Sequence, residues 1–248
     1  TVGVTSFLIQ HGVALGILLL ACLLLSAIYF AAQSRRDDGV RDPALLLRLL
    51  ALMAAPFTFS ILFEQFSLSI NLFNDRIIDR SFVGHEIAAP QLLSLNAFFV
   101  LLFLPLLGAA WSALGRRGRE PATSSKFALG FASIATGFLL LATATGLVDP
   151  GTRIPIAFVV VAYFLITMGE LCISPLAYAT VGQIVPASLQ GIAMGMLLLA
   201  FALGNLGASW LATAAAIPRL MHRTWSTHES HKPFASSVTA AALRFVDK

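Results

Sequence analysis

Long apolar runs separated by short polar ones dominate the pattern of this chain, with apolar windows at 12–33, 46–73, 91–114, 127–148, 154–184 and 190–217. Each is near the roughly 20 residues that a helix needs to cross ~30 Å of hydrocarbon. A helix of that length satisfies its backbone polar groups internally, as a bilayer requires. The pattern therefore predicts about six membrane-spanning helices. The loops between them are SRRDDGVRDP, NDRIIDRSFVGHEIAAP, GRRGREPATSSK, DPGTR and a tight PASLQ, rich in the charge, Gly and Pro that mark turns. Pro56 in the second window and Pro155 and Pro175 in the fifth are expected to kink their helices.

Composition strengthens this picture. With 58% hydrophobic and 11% charged residues, the chain has too little polar surface to cover a water-soluble globule of 248 residues, and it belongs in a lipid bilayer. The formal net charge of +4 does not point to nucleic acid, because the arginines sit in short loops between apolar runs, where they signal topology. Eight Lys and Arg fall in the loops 34–48, 115–126 and 185–190, against three in 74–90 and 149–153. The first set is expected to face the cytoplasm, which makes this a multi-pass protein of the cell (inner) membrane. Five further basic residues, Arg219, Arg223, Lys232, Arg244 and Lys248, lie in the tail 218–248, on the side where parity conflicts with that rule. The tail has no apolar run long enough for a seventh span. The two cysteines, Cys22 and Cys172, lie inside apolar runs, so no disulfide, metal site or cofactor is expected. The chain opens on Thr1 with no basic stretch before its first apolar run, which predicts no secretory signal and a sequence cropped at its beginning.

Of twelve acidic residues, only Glu64 and Glu170 fall well inside apolar windows. A charged carboxylate at the bilayer centre costs about 2.5–3.5 kcal/mol on insertion scales, so such a group faces a cavity, meets a cation or carries a proton. In the second window Ser60, Glu64, Ser67, Asn71 and Asn74 follow one another at spacings of four, three, four and three, forming one polar stripe. Tyr163, Thr167, Glu170, Ser174 and Tyr178 repeat the arrangement in the fifth. Two such stripes suggest a shared aqueous pathway, although hydrogen bonding between helices accounts equally well for the Ser, Thr and Asn members. Asn96, early in the third window, is suited either to a substrate carboxylate or to bridging helices. Gly191, Gly195, Gly204 and Ala208 in the sixth allow close helix approach and need no ligand. The histidines show no metal-ligand spacing. No nucleophile with a base, paired-Asp motif or HExxH is present, so no enzyme activity is expected.

The runs FEQFSLSINLFNDRIIDR (63–80), LLSLNAFFVLLFLPLLGAAW (92–111), GREPATSSKFALG (118–130), GELCISPLAYATVGQIVPA (169–187) and GIAMGMLLLAFALGN (191–205) closely resemble the second half of the proton-dependent oligopeptide transporters of the major facilitator superfamily. The resemblance spans about 57–217. It implies an all-α integral membrane fold: residues 46–217 form five helices of the C-terminal transporter bundle, the seventh to eleventh of the family's core. Residues 1–45 supply one extra helix and a cytoplasmic linker, and 218–248 a polar tail in which the twelfth core helix is not recognisable.

The resemblance further implies roles for single residues. Glu64 matches an acid linked to proton movement and gating. Glu170 matches one that engages the peptide amino group, Asn96 matches an Asn that contacts bound peptide, and Ser174 stands in a Glu-x-x-x-Ser-Pro pattern that lines the pocket. Ser60 occupies the place of a usual Trp at the substrate, Leu197 replaces another Trp, and Ala177 replaces a usual Gly. The implied partners are a di- or tripeptide, protons, the lipid bilayer and the N-terminal transporter half, whose acidic-Arg-aromatic signature is absent here. The expected function is the C-terminal half of a proton-coupled peptide symporter working by alternating access, inactive without its N-terminal half. The alternative is a truncated or non-transporting membrane helix bundle.

Overall fold

The computed structural model describes residues 12–36, 44–82, 85–147 and 153–215. The elements in chain order are α1 (Gly12–Arg36), α2 (Leu45–Phe63), a 3-10 turn (Glu64–Phe66), α3 (Ser69–Ile77), β1 (Ile78–Asp79), β2 (Ser81–Phe82) and β3 (His85–Glu86). There follow α4 (Ala89–Leu92), α5 (Ser94–Arg116), α6 (Thr123–Leu147), β4 (Ile154–Pro155), α7 (Ile156–Ile184), a second 3-10 turn (Ala187–Leu189) and α8 (Gln190–Ala215). Among these residues six stretches are long and apolar enough to cross a membrane: Gly12–Arg35, Leu45–Ile77, Ala89–Arg116, Thr123–Leu147, Ile156–Ile184 and Ala187–Ala212. These are spans 1 to 6, and the fold is an all-α membrane bundle. The polar tail 218–248 lies outside the described residues, as do the linker residues 37–43.

Which side chains are exposed fits a bilayer. Ile17, Leu25 and Ile28 on α1, and Phe98, Leu101 and Leu106 on α5, point outward, where lipid tails are as apolar as the leucines themselves. Inside, α6 packs along α7, α2 along α8, and α5 against α7, while α1 lies mainly on α8. One buried cluster gathers Phe66, Ile70, Ile78, Ile134, Ile154, Tyr163 and Ile166. A second gathers Phe30, Leu49, Met53, Val181, Leu189 and Leu197.

Backbone proximity, not bulk, seals the two tightest seams. A Cβ added at Gly169 of α7 would meet Ile134 and come within 2.6 Å of the Gly130 carbonyl on α6, and one at Gly137 would lie 2.7 Å from Ile166. At Gly204 of α8 an added Cβ would lie 2.5 Å from the Phe57 carbonyl. Gly169→Ala is therefore expected to lower the unfolding free energy in detergent by about 1–3 kcal/mol, the usual effect of overpacking; an unchanged midpoint of denaturant unfolding would contradict so close a seam. Of the small residues that the sequence marks on the sixth span, Gly204 does meet a neighbouring helix, but Gly191 and Gly195 have open space where a Cβ would stand.

Two further details add to the sequence reading. Pro56 and Pro175 lie inside unbroken helices, and Pro155 precedes α7. Span 2 breaks instead at 64–68, a stretch free of Gly and Pro, where Leu68 leaves helical geometry at φ −95°, ψ −84°. The loops between the spans also carry short strands. β1 pairs in parallel with β4, Ile78 opposite Ile154, so that the loop after span 2 meets the entry to span 5. β2 and β3 form an antiparallel pair nearby, where Arg80 donates to Glu86 at 2.9 Å and to the Ile87 carbonyl at 3.0 Å. Beside them the Ser81 hydroxyl and then its N–H donate to the Asp79 carboxylate, holding it below the usual range.

Candidate functional site

The stripe on α7 meets α5 at one point. Asn96 lies at the third residue of α5, and its side-chain Nδ2 donates to Oε2 of Glu170 at 2.8 Å and to Oγ1 of Thr167 at 3.0 Å. Thr167 is fully buried and Glu170 half-buried. One amide group thus spans two helices and fixes the rotamer of an intramembrane carboxyl. The Oε1 atom of Glu170 has no hydrogen-bond partner among the described residues, which leaves it open to a ligand. Ser174 stands one turn further along α7, also half-buried. Phe99 and Phe103 of α5 pack edge-on against Phe164 of α7 at centroid distances of 5.7 and 5.1 Å, bracing the crossing that brings Asn96 to Glu170.

The stripe on span 2 is divided by the break. Glu64 sits at its first residue, half-buried, with no hydrogen-bond or ion-pair partner for its carboxyl among the described residues. Beyond the break the two stripes touch. The fully buried Asn74 donates through Nδ2 to the Tyr163 hydroxyl at 2.9 Å, and the Phe66 ring stands edge-on to Tyr163 at 4.0 Å. The Oδ1 atoms of Asn71 and Asn74 are buried and unpaired.

Ser60 lies on α2 beside Gly204 of α8. It is 3% exposed, and its Cβ would lie 2.6 Å from a Cβ added at Gly204, so it sits in the α2–α8 seam. Ala177 and Leu197, the other positions that differ from the family pattern, are likewise fully buried in the second cluster. Glu170 and Asn96 are brought into direct contact, whereas no hydrogen bond links Glu64 to them. Thr167, named in the sequence only as a member of a stripe, is part of the Asn96–Glu170 contact; its three-residue spacing from Glu170 was the available signal. Gln65 carried no signal at all, yet it is buried and makes three hydrogen bonds at the break.

A multi-span helical bundle that holds an oriented, half-buried carboxyl between two helices belongs to the class of polytopic membrane proteins with an intramembrane polar site. The POT family model matches residues 10–225, and the chain belongs to that family. It is 35% identical over 181 residues to the peptide transporter YePEPT of Yersinia enterocolitica, covering 72% of this chain and 34% of that protein. It is 31% identical over 191 residues to dipeptide and tripeptide permease A of Erwinia pyrifoliae, covering 77% of this chain and 38% of the permease. The chain thus spans between a third and two fifths of these relatives. A crystal structure of a POT peptide transporter in complex with sulfate superposes with a TM-score of 0.69 at 22% identity, covering 86% of this chain and 44% of that one. A POT family transporter in complex with 5-aminolevulinic acid gives 0.68 at 19% identity, covering 89% and 47%. These structures share the fold, and the relatives are transporters rather than enzymes.

Proposed function

We propose that spans 2 to 6 form the C-terminal wall of a proton-coupled symporter for di- and tripeptides in the cell (inner) membrane. The observation that carries this reading is the oriented Glu170: Asn96, itself anchored on Thr167, holds one side of its carboxyl while Oε1 stays without a partner among the described residues. An ammonium group of a peptide is the right charge and size to meet that oxygen, and a desolvated ion pair is strong where water is excluded. Ser174, one turn away, lines the same face, and Glu64 at the break in span 2 carries the proton. The names of the curated relatives, peptide transporter and dipeptide and tripeptide permease, support a peptide as the cargo.

Substrate in this reading is enclosed between two bundles that rock against each other, and an N-terminal bundle supplies the second wall. Proteoliposomes holding this chain alone are expected to show no uptake of labelled dialanine under an inward proton gradient. Co-reconstitution with the N-terminal bundle of the Yersinia relative is expected to restore it. Gradient-dependent uptake by the chain alone would overturn the two-wall arrangement, and uptake by the pair that ignores the gradient would overturn proton coupling.

A further inference from the structure

Span 2 breaks at a place with no Gly or Pro to break it, and a buried side chain bridges the break. Gln65 is 5% exposed. Its Nε2 donates back to the Ile61 carbonyl of α2 at 3.2 Å and across to the Ala208 carbonyl of α8 at 3.0 Å, while its Oε1 accepts from the Ser69 hydroxyl at the start of α3, at 2.6 Å. A side chain inserted onto a helix carbonyl is one of the few identifiable causes of a sharp departure from helical geometry. Here one amide holds the last turn of α2, the first residue of α3 and the neighbouring wall at once. The surrounding hydrocarbon offers no water to replace these bonds.

Glu64 is the residue immediately before this clamp, so the backbone that Gln65 immobilises sets the direction of the Glu64 carboxyl. No ion pair among the described residues does so. The elements packed against the 64–66 turn are α2, α3 and α8. Of these, α8 has no titratable residue, α2 has only Arg48, and α3 has only Asp75 and Arg76 near its far end. Arg48 is sixteen residues from Glu64 along the chain, about 24 Å at helical rise. α7, which reaches the turn through Tyr163 on Phe66, contributes Tyr163, Glu170, Cys172 and Tyr178.

We infer that Gln65 is a positioning residue for Glu64, a polar clamp that ties the break in span 2 to span 6 and thereby aims the proton-carrying carboxyl. The inference rests on the reading of Glu64 as the proton carrier. It separates two kinds of damage. Loss of the clamp misdirects Glu64 and weakens proton coupling, yet leaves the Asn96–Glu170 site on α5 and α7 in place.

Two measurements on the membrane-embedded chain test it. In a Cys22→Ser, Cys172→Ser background, the rate at which a water-soluble thiol reagent labels Glu64→Cys is expected to change at least threefold when Gln65→Met is added, the worth of about one hydrogen bond. Labelling of Ser174→Cys should stay unchanged. Ser69→Ala, which removes a single bond, should move the rate at position 64 in the same direction, and Ser69→Thr should return it. With the Yersinia N-terminal bundle supplied, Gln65→Met should lower gradient-driven dipeptide uptake about tenfold, as loss of more than one bond implies. Exchange of labelled for unlabelled peptide without a gradient should fall less than about twofold, because exchange needs no net proton movement.

Unchanged labelling at 64, equal changes at 64 and 174, or parallel loss of both fluxes would each overturn the clamp. If Glu64→Gln leaves gradient-driven uptake intact while the labelling results stand, the clamp survives and the proton reading fails. The labelling arm needs no flux and decides the clamp by itself.

Discussion

Glu170→Gln is expected to raise the KM for a dipeptide by roughly 30- to 100-fold in the two-bundle protein, the usual effect of removing one partner of a desolvated charge pair. The substitution is nearly isosteric and keeps an oxygen that accepts from Asn96, so the α5–α7 crossing should persist. What is lost is the negative charge offered to the peptide ammonium. An internal control follows from the chemistry. A peptide acetylated at its amino end has no cation to offer, so the protein with Glu170 should discriminate strongly against it and Glu170→Gln should not. Competition assays with free and acetylated dialanine read this directly. Equal discrimination in both proteins would remove Glu170 from the amino-end site, whatever happened to total uptake.

The second large effect is expected at Glu64. Glu64→Gln cannot take up and release a proton, and gradient-driven accumulation should fall by about a hundredfold, within the range assigned to a positioned proton-transfer group. Peptide exchange at zero gradient should continue, since the Asn96–Glu170–Thr167 contact lies on other helices. Loss of exchange together with accumulation would assign Glu64 a part in holding the bundle or the peptide, and would count against its role as a proton carrier. The two substitutions thus dissect the site: one should impair recognition with coupling retained, the other coupling with recognition retained.

Much of this architecture could be read from the chain. The six apolar windows agree with the six spans to within a few residues at most ends, because span length is dictated by bilayer thickness and acidic residues are excluded from the window interiors at all but two positions. Those two exceptions, Glu64 and Glu170, were legible for the same reason. What could not be read is which polar faces meet. Periodicity places Thr167 and Glu170 on one face of α7, but it does not say that α5 crosses there and delivers Asn96. The same holds for Asn74 and Tyr163, eighty-nine positions apart in sequence. Ser60 shows the reverse case: its helical phase matches Glu64, but the small Gly204 draws α8 close enough to bury it. The break in span 2 was hidden because propensity looks for Gly and Pro, whereas the side chain that bridges it, Gln65, bonds Ala208 only in the folded bundle.

The short parallel ladder between Ile78 and Ile154 has a mechanical consequence. Both strands directly adjoin helices, β1 at the end of α3 and β4 at the start of α7. The Asn74–Tyr163 hydrogen bond sits further inward on the same two helices, about one turn along α3 and about two along α7. Two fastenings set apart along the helices oppose not only separation but also relative rotation, as two bolts do where one would act as a pivot. At this end of the bundle spans 2 and 5 are therefore expected to travel as one strut, with any change in their mutual angle taken up on the far side of the Glu64–Leu68 break.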